Sequence, residues 1–246
     1  VLADPFDSGH MGMTAERIAD RYQISREQMD EYSVESHRRA QNAIDKGYFK
    51  SQIVPVEAKV GRNTVTFDTD EHVRADASIE NMAKLKPAFK KDGKVTPANA
   101  SGINDGAAAV VITTMAEAEK RGLKPKARII SYGFGGVAPE VMGLGPIEAV
   151  PDAMKKAGLS IEDMDVIESN EAFAVQAMAV SSTLGFDPAK VNPNGGAVAL
   201  GHPVGATGSI ITLKCLYELE RIGGKYGLVT MCIGGGQGIA LIIEKL

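Results

Sequence analysis

Cysteine is scarce: Cys215 and Cys232 are the only two in 246 residues. They cannot build a disulfide framework, and such a chain suits a reducing interior. Long apolar runs are missing as well, since no segment reaches the roughly 20 residues that a membrane-spanning helix needs. There is no surplus of positive charge. A formal net charge of −4 gives no basic field for nucleic acid or an anionic membrane, although a local basic pocket for a phosphorylated ligand stays open. Zinc-type spacing is absent too, because the cysteines lie far apart and His10, His37 and His72 stand alone. The opening VLADPFDSGHMG has neither an initiator Met nor a signal-peptide pattern, and it reads as a fragment or processed product. The terminal Glu-Lys-Leu only approximates a peroxisomal address.

What is present is an ordinary globular composition, 44% apolar and 24% charged, enough for one large domain or two modest ones. Ser25 opens a long helix with Gln28 three residues on as a capping box, and Gly47 closes it. Residues 51–75 read as short extended segments joined by charged turns, and SIENMAKLKPAF (78–89) as a helix stopped near Pro87. From about residue 104 the texture becomes regular. GAAAVVITT is predicted as a buried strand, followed by a short helix. From Ala127 the pattern is βαβαβαββ, ending in the strands YGLVTMC and IALIIEKL joined by glycines. Such alternation implies a parallel arrangement covered by helices, and the last two strands, as an antiparallel hairpin, make the sheet a mixed one beside an irregular α+β first part.

Three clusters fall at element ends, where open α/β sheets bind ligands. In ESNEAF (168–173), Asn170 lies where a strand passes into a helix, so the plainer reading is a helix cap. In NGGAVALGHPVGATG (194–208), His202 precedes Pro203, which favours extended backbone. The loop fits neither phosphate-binding pattern: no Lys-Ser/Thr follows its last glycine, and its spacing is GxxxGxxG. In VTMCIGGGQG (229–238), Cys232 could be a small core hydrophobe, which is the stronger reading for mid-helix Cys215. Together an amide, an imidazole and a thiol, each beside a turn or glycines, supply a hydrogen-bond donor, a base and a nucleophile or proton carrier.

At these residues the sequence resembles the thiolase family, the acyl-CoA acetyltransferases. NEAFA, NGGAVALGHPVGATG and CIGGGQG match three C-terminal signatures in order, and HMGMTAE (10–16) and NASGINDGAAA (99–109) match two further segments. The resemblance implies an enzyme that makes or cleaves 3-ketoacyl-CoA, on an α/β, five-layer αβαβα fold of two similar halves. It implies a loop domain at 1–103, the closing strand and helix of the N-terminal half at 104–124, and a complete C-terminal half at 125–246. It also implies coenzyme A or acetyl-CoA as substrate with no covalently bound cofactor, a cytoplasmic location, and a homo-oligomer (dimer or tetramer) or a complementing N-terminal half. Relatives of this type carry a nucleophilic cysteine upstream of everything in this sequence.

Carried over motif by motif, Cys232 would remove and return the α-proton of acetyl-CoA. His202 would activate the nucleophile and, with a water on Asn170, form one oxyanion site. The N–H of Gly234 would be half of the other. Glycines there clear side chains from the approach, and donors aimed at developing charge contribute about 2.7–4 kcal/mol each. A thiol brought toward neutrality by nearby donors would suit the proton carrier. Ser101, Phe89, His10, Met11, Met142 and Phe173 match pantetheine-channel and acyl-pocket positions, and Arg74 a nucleotide-end one. Asn81 replaces a residue often Ser. Three other readings stay open: a non-catalytic CoA-binding or assembly subunit, a Cys232–His202 thioester hydrolase, and a condensing enzyme for carrier-protein substrates. The last usually shows His or Asn where Asn170 and Cys232 stand.

Overall fold

In the computed structural model, which describes residues 2–6 and 9–246, the first part of the chain is helical and irregular. Helix α1 (Met11–Arg21) is capped by His10, whose Nδ1 accepts the Gly12 N–H. Helix α2 (Arg26–Asp45) begins with the expected Ser25–Gln28 capping box. Strands β1 (Val56–Val60) and β2 (Asn63–Phe67) form an antiparallel hairpin, with exposed residues on both faces.

The helix expected over 78–89 shrinks to α3 (Ile79–Met82). Pro87 disfavours helical backbone just ahead of it. Arg26 donates instead to the carbonyls of Met82 and Leu85, which satisfies the frayed end. A larger correction concerns GAAAVVITT. Residues 106–114 join no strand, and Val111 is 93% exposed. Helix α4 (Met115–Lys120), capped by Thr114, follows as expected.

The C-terminal part runs β3 (Ala127–Gly136), a 3-10 turn Pro139–Leu144, α5 (Gly145–Ala157), β4 (Val166–Ser169) and α6 (Ala174–Leu184). It continues with α7 (Ala197–Leu200), α8 (Thr207–Ile222), β5 (Tyr226–Ile233) and β6 (Gln237–Lys245). The strand order is β3-β6-β5-β4. The terminal hairpin is antiparallel and the sheet is mixed, both as expected. Strand β6 inserts between β3 and β5 and runs against both, while β4 and β5 run together. Val191 adds a single parallel bridge to Ile167 outside β4.

Helices α5 and α6 cover one face, burying Ile167, Leu228 and Ile242 completely. Helix α8 covers the other over Val166, Val229 and Ile243. Burying each such side chain contributes about 1.5–3 kcal/mol. Gly145 and Gly238 let α5 start directly on β6: a Cβ on Gly238 would lie 2.1 Å from the Gly145 carbonyl carbon. That contact brings the 3-10 turn, and Met142 within it, to the end of the sheet where β4 and β5 finish.

Candidate active site

Strands β4 and β5 are parallel, with Ser169 opposite Thr230, so Asn170 and Cys232 leave the sheet at the same end. Asn170 is fixed there by its N–H to the Thr230 carbonyl at 2.9 Å. It does not cap α6, whose cap position is Phe173, so the plainer reading of this asparagine fails. Its side chain is buried: Nδ2 faces His202 Nε2 at 3.3 Å, and Oδ1 has no partner among the described residues.

The His202 ring is held from both sides. Thr207 Oγ1 donates to the Pro203 carbonyl at 3.0 Å and lies 2.7 Å from Nδ1. With its hydrogen committed, the hydroxyl accepts from Nδ1–H, which leaves the Nε2 lone pair toward Asn170. Burial lowers the His202 pKa, so the ring is neutral at physiological pH. The backbone is fastened as well. Asn104 Oδ1 accepts the His202 N–H at 3.2 Å and packs where a Cβ on Gly201 would fall, 2.3 Å away. Gly201 has φ +92°, which few other residues tolerate.

Cys232 is buried in one apolar cluster with Met11, Met142, Ala172 and Phe173. Phe89 packs against that cluster, stacks on the His10 ring at 4.6 Å and meets Phe173 edge-on at 6.4 Å. Ser101 hangs beside it, with both N–H and Oγ donating to the Ala172 carbonyl. Gly234 lies in the hairpin turn, and a Cβ there would stand 2.6 Å from Met11 Cε. The expectation of a thiol brought toward neutrality is not met. Burial pushes Cys232 up to about 12, and only a hydrogen bond with its own backbone opposes the rise.

The structure therefore brings Asn170 and His202 into contact and sets Cys232 at the same sheet end. His10, Met11, Phe89, Ser101, Met142 and Phe173 gather around that end. Arg74 stands apart. It is exposed, and its N–H donates to His37 Nδ1, an imidazole held by burial at about 4. Asn81 is also exposed, donating its N–H to the α3 cap Ser78. Sequence reasoning missed Thr207, Asn104 and the buried Glu171, although each lies inside a quoted motif or next to a quoted glycine. Among the described residues no group of three or more His, Cys, Asp and Glu could hold a metal ion.

Comparison with known proteins adds independent findings. Residues 1–116 match the family model for the thiolase N-terminal domain, and residues 123–245 the model for the thiolase C-terminal domain. The chain is 62% identical over 246 residues to the beta-ketothiolase BktB of Cupriavidus necator, covering all of this chain and 62% of that protein. It is 53% identical over 247 residues to the acetyl-CoA acetyltransferase of Syntrophomonas wolfei, again covering 62% of it. Among solved structures, the Bacillus anthracis acetyl-CoA acetyltransferase superimposes with a TM-score of 0.97 at 48% identity, over all of this chain and 62% of that one. Human mitochondrial 3-ketoacyl-CoA thiolase in complex with CoA gives 0.95 at 48%, over all of this chain and 61% of the other. The chain thus spans about three fifths of the length of the relatives it matches.

Proposed function

This chain belongs to the thiolase family, and from that premise we propose that it carries the proton-transfer side of a thiolase active site. The reaction is the Claisen condensation of acetyl-CoA, or the CoA-dependent cleavage of a 3-ketoacyl-CoA. The nucleophilic cysteine comes from the part of the enzyme that these 246 residues do not include. The single observation that carries the reading is the gathering of Asn170, His202 and Cys232 at one sheet end, beside the apolar cluster that buries the thiol.

The step at Cys232 follows from its burial. At neutral pH the sulfur is protonated, so in cleavage it acts first as an acid. The nucleophilic cysteine's sulfur adds to the β-carbonyl carbon. The bond between the α- and β-carbons then breaks, leaving the acyl group on that sulfur as a thioester. The bond's electron pair passes to the thioester enolate, and the α-carbon takes the proton from Cys232 Sγ. The buried thiolate left behind is strongly basic. That basicity matches it to a weak carbon acid. In condensation the thiol first gives its proton to the CoA sulfur that leaves when the first acetyl group passes to the nucleophile. The thiolate so formed then removes the α-proton of the second acetyl-CoA. His202 is neutral, with its lone pair on Nε2, and can take a proton from the nucleophile. Once protonated it joins Asn170 as a donor to a developing oxyanion. The Gly234 N–H serves the thioester oxygen, with Met11 closing the opposite side.

Arg74, exposed and outside the apolar cluster around the thiol, is assigned to the nucleotide end. The free cysteines fit a reducing compartment, the cytoplasm. Exposed Val111, Ile112 and Val54 fit assembly with further polypeptide, within a dimer or tetramer of complete subunits. A self-sufficient thioester hydrolase fits less well. Cys232 is held as a thiol by its burial, so it is a poor nucleophile.

The experiment is acetoacetyl-CoA thiolysis, first by the chain alone and then by the chain joined to the remaining portion of a family member. Activity only in the second case is expected. Intact mass after acyl-CoA incubation of the chain alone should stay unmodified, and an acyl adduct on Cys232 would restore the hydrolase reading.

A further inference from the structure

Glu171 is a buried carboxyl group that the reaction scheme leaves unused. The residue is 2% exposed, and its carboxylate accepts four hydrogen bonds. Oε1 takes the Tyr32 hydroxyl at 3.0 Å and the Asn192 amide at 2.9 Å; Oε2 takes the Ser36 hydroxyl at 2.7 Å and the Val198 N–H at 3.1 Å. None of the four donors is a cation. A buried carboxylate survives without a counter-ion only when its lone pairs are filled this way, and hydrogen bonds to a charge are roughly twice as strong as neutral ones.

The donors come from distant parts of the chain. Tyr32 and Ser36 lie four residues apart on one face of α2, the helix of the first, covering part. Asn192 and Val198 belong to the segment that leads into the His202 turn. Asn192 has φ +43° and is clamped further, accepting the Ser169 N–H and donating to the Ser169 carbonyl. Ser36 Oγ also accepts the Gly196 N–H at 3.1 Å, and a Cβ on Gly196 would collide with the carboxylate at 2.2 Å. Glu171 itself immediately follows Asn170.

We propose that Glu171 is a positioning residue whose carboxylate fastens α2 to the two backbone segments carrying Asn170 and His202. Docking of the cover and alignment of those two groups then become one event. The roles of Asn170 and His202 rest on the function proposed above; the coupling itself does not.

The test is hydrogen exchange on the whole chain, read by mass spectrometry, with Tyr32→Phe as the informative variant because it removes only the α2 hydroxyl donated to Oε1. Exchange across 192–202 is expected to rise about tenfold, while the β5–β6 hairpin stays within about twofold of the parent. Glu171→Gln, which points a donor at other donors, should loosen α2 and 192–202 further. If that variant does not fold, Tyr32→Phe decides. Unchanged exchange over 192–202, or an equal rise in the hairpin, overturns the proposal. In assembled enzyme, Tyr32→Phe should lower kcat at least about fivefold with KM within about twofold. A raised KM at unchanged kcat would overturn the positioning role. A parent enzyme without thiolysis would count against the proposed function and leave the exchange result standing.

Discussion

Residues 106–114 and strand Tyr226–Ile233 are both short apolar runs rich in β-branched side chains, and they meet opposite fates. The second is laddered on both edges, by β4 and β6, and its Leu228 is fully buried. The first has no ladder partner, and Val110, Val111 and Ile112 are 43%, 93% and 72% exposed. Side-chain preference for extended backbone is shared, so it does not make the difference. Neighbouring strands do, because an isolated strand leaves its backbone groups to water and its apolar face uncovered. The same contrast governs the chemistry, since only a walled strand end can desolvate a thiol.

Thiol reactivity sharpens that contrast most. Cys232, at about 12, is almost wholly protonated near pH 8, whereas an exposed cysteine is roughly a quarter thiolate there. A cysteine introduced by Val111→Cys should therefore react with iodoacetamide more than about 10³-fold faster than Cys232. The alkylation rate of Cys232 should keep climbing with pH well past the point where the introduced thiol levels off. Comparable rates for the two would erase the distinction between walled and bare runs. The counterpart that tests the proposed function is Cys232→Ser in assembled enzyme: if Cys232 is the acid–base group proposed above, thiolysis falls by about 10²–10⁴-fold. Stability should fall by about 1–3 kcal/mol, because the hydroxyl enters a buried apolar cluster.

Next in size is the packing of the walled run. Leu228→Ala removes a fully buried side chain from the α5–α6 face and should cost about 2–5 kcal/mol in urea unfolding of the chain. A cost under about 1 kcal/mol would mean that this face closes more loosely than its geometry shows.

The long capped helix, the βαβ alternation and the terminal hairpin were legible in the sequence because each carries a local signal: the Ser25–Gln28 box, the alternating elements, the glycines after Cys232. The family motifs placed Asn170, His202 and Cys232 at element ends, and the structure brings these ends together. What escaped is non-local. Strand order depends on β6 slipping between β3 and β5, which no window of residues encodes. The tautomer of His202 depends on the one hydrogen of Thr207 being used elsewhere. The height of the Cys232 pKa follows from an apolar shell assembled from α1, the 3-10 turn and the start of α6. Asn170 looked like a helix cap because the helix begins three residues later than its composition suggests.

The smallest expected effect is the most direct check on the bare run. Val111→Asp puts a charge where the valine is 93% exposed, so nothing is desolvated and no contact is lost. Urea unfolding of the chain should shift by no more than about 0.5 kcal/mol, the usual range for exposed sites. The same substitution in a buried strand would strand an unpaired carboxylate and cost several kcal/mol. A loss above about 1 kcal/mol would therefore show that 106–114 is already covered within this chain. A silent result fits a segment that is bare in this chain, as the exposure of its valine requires.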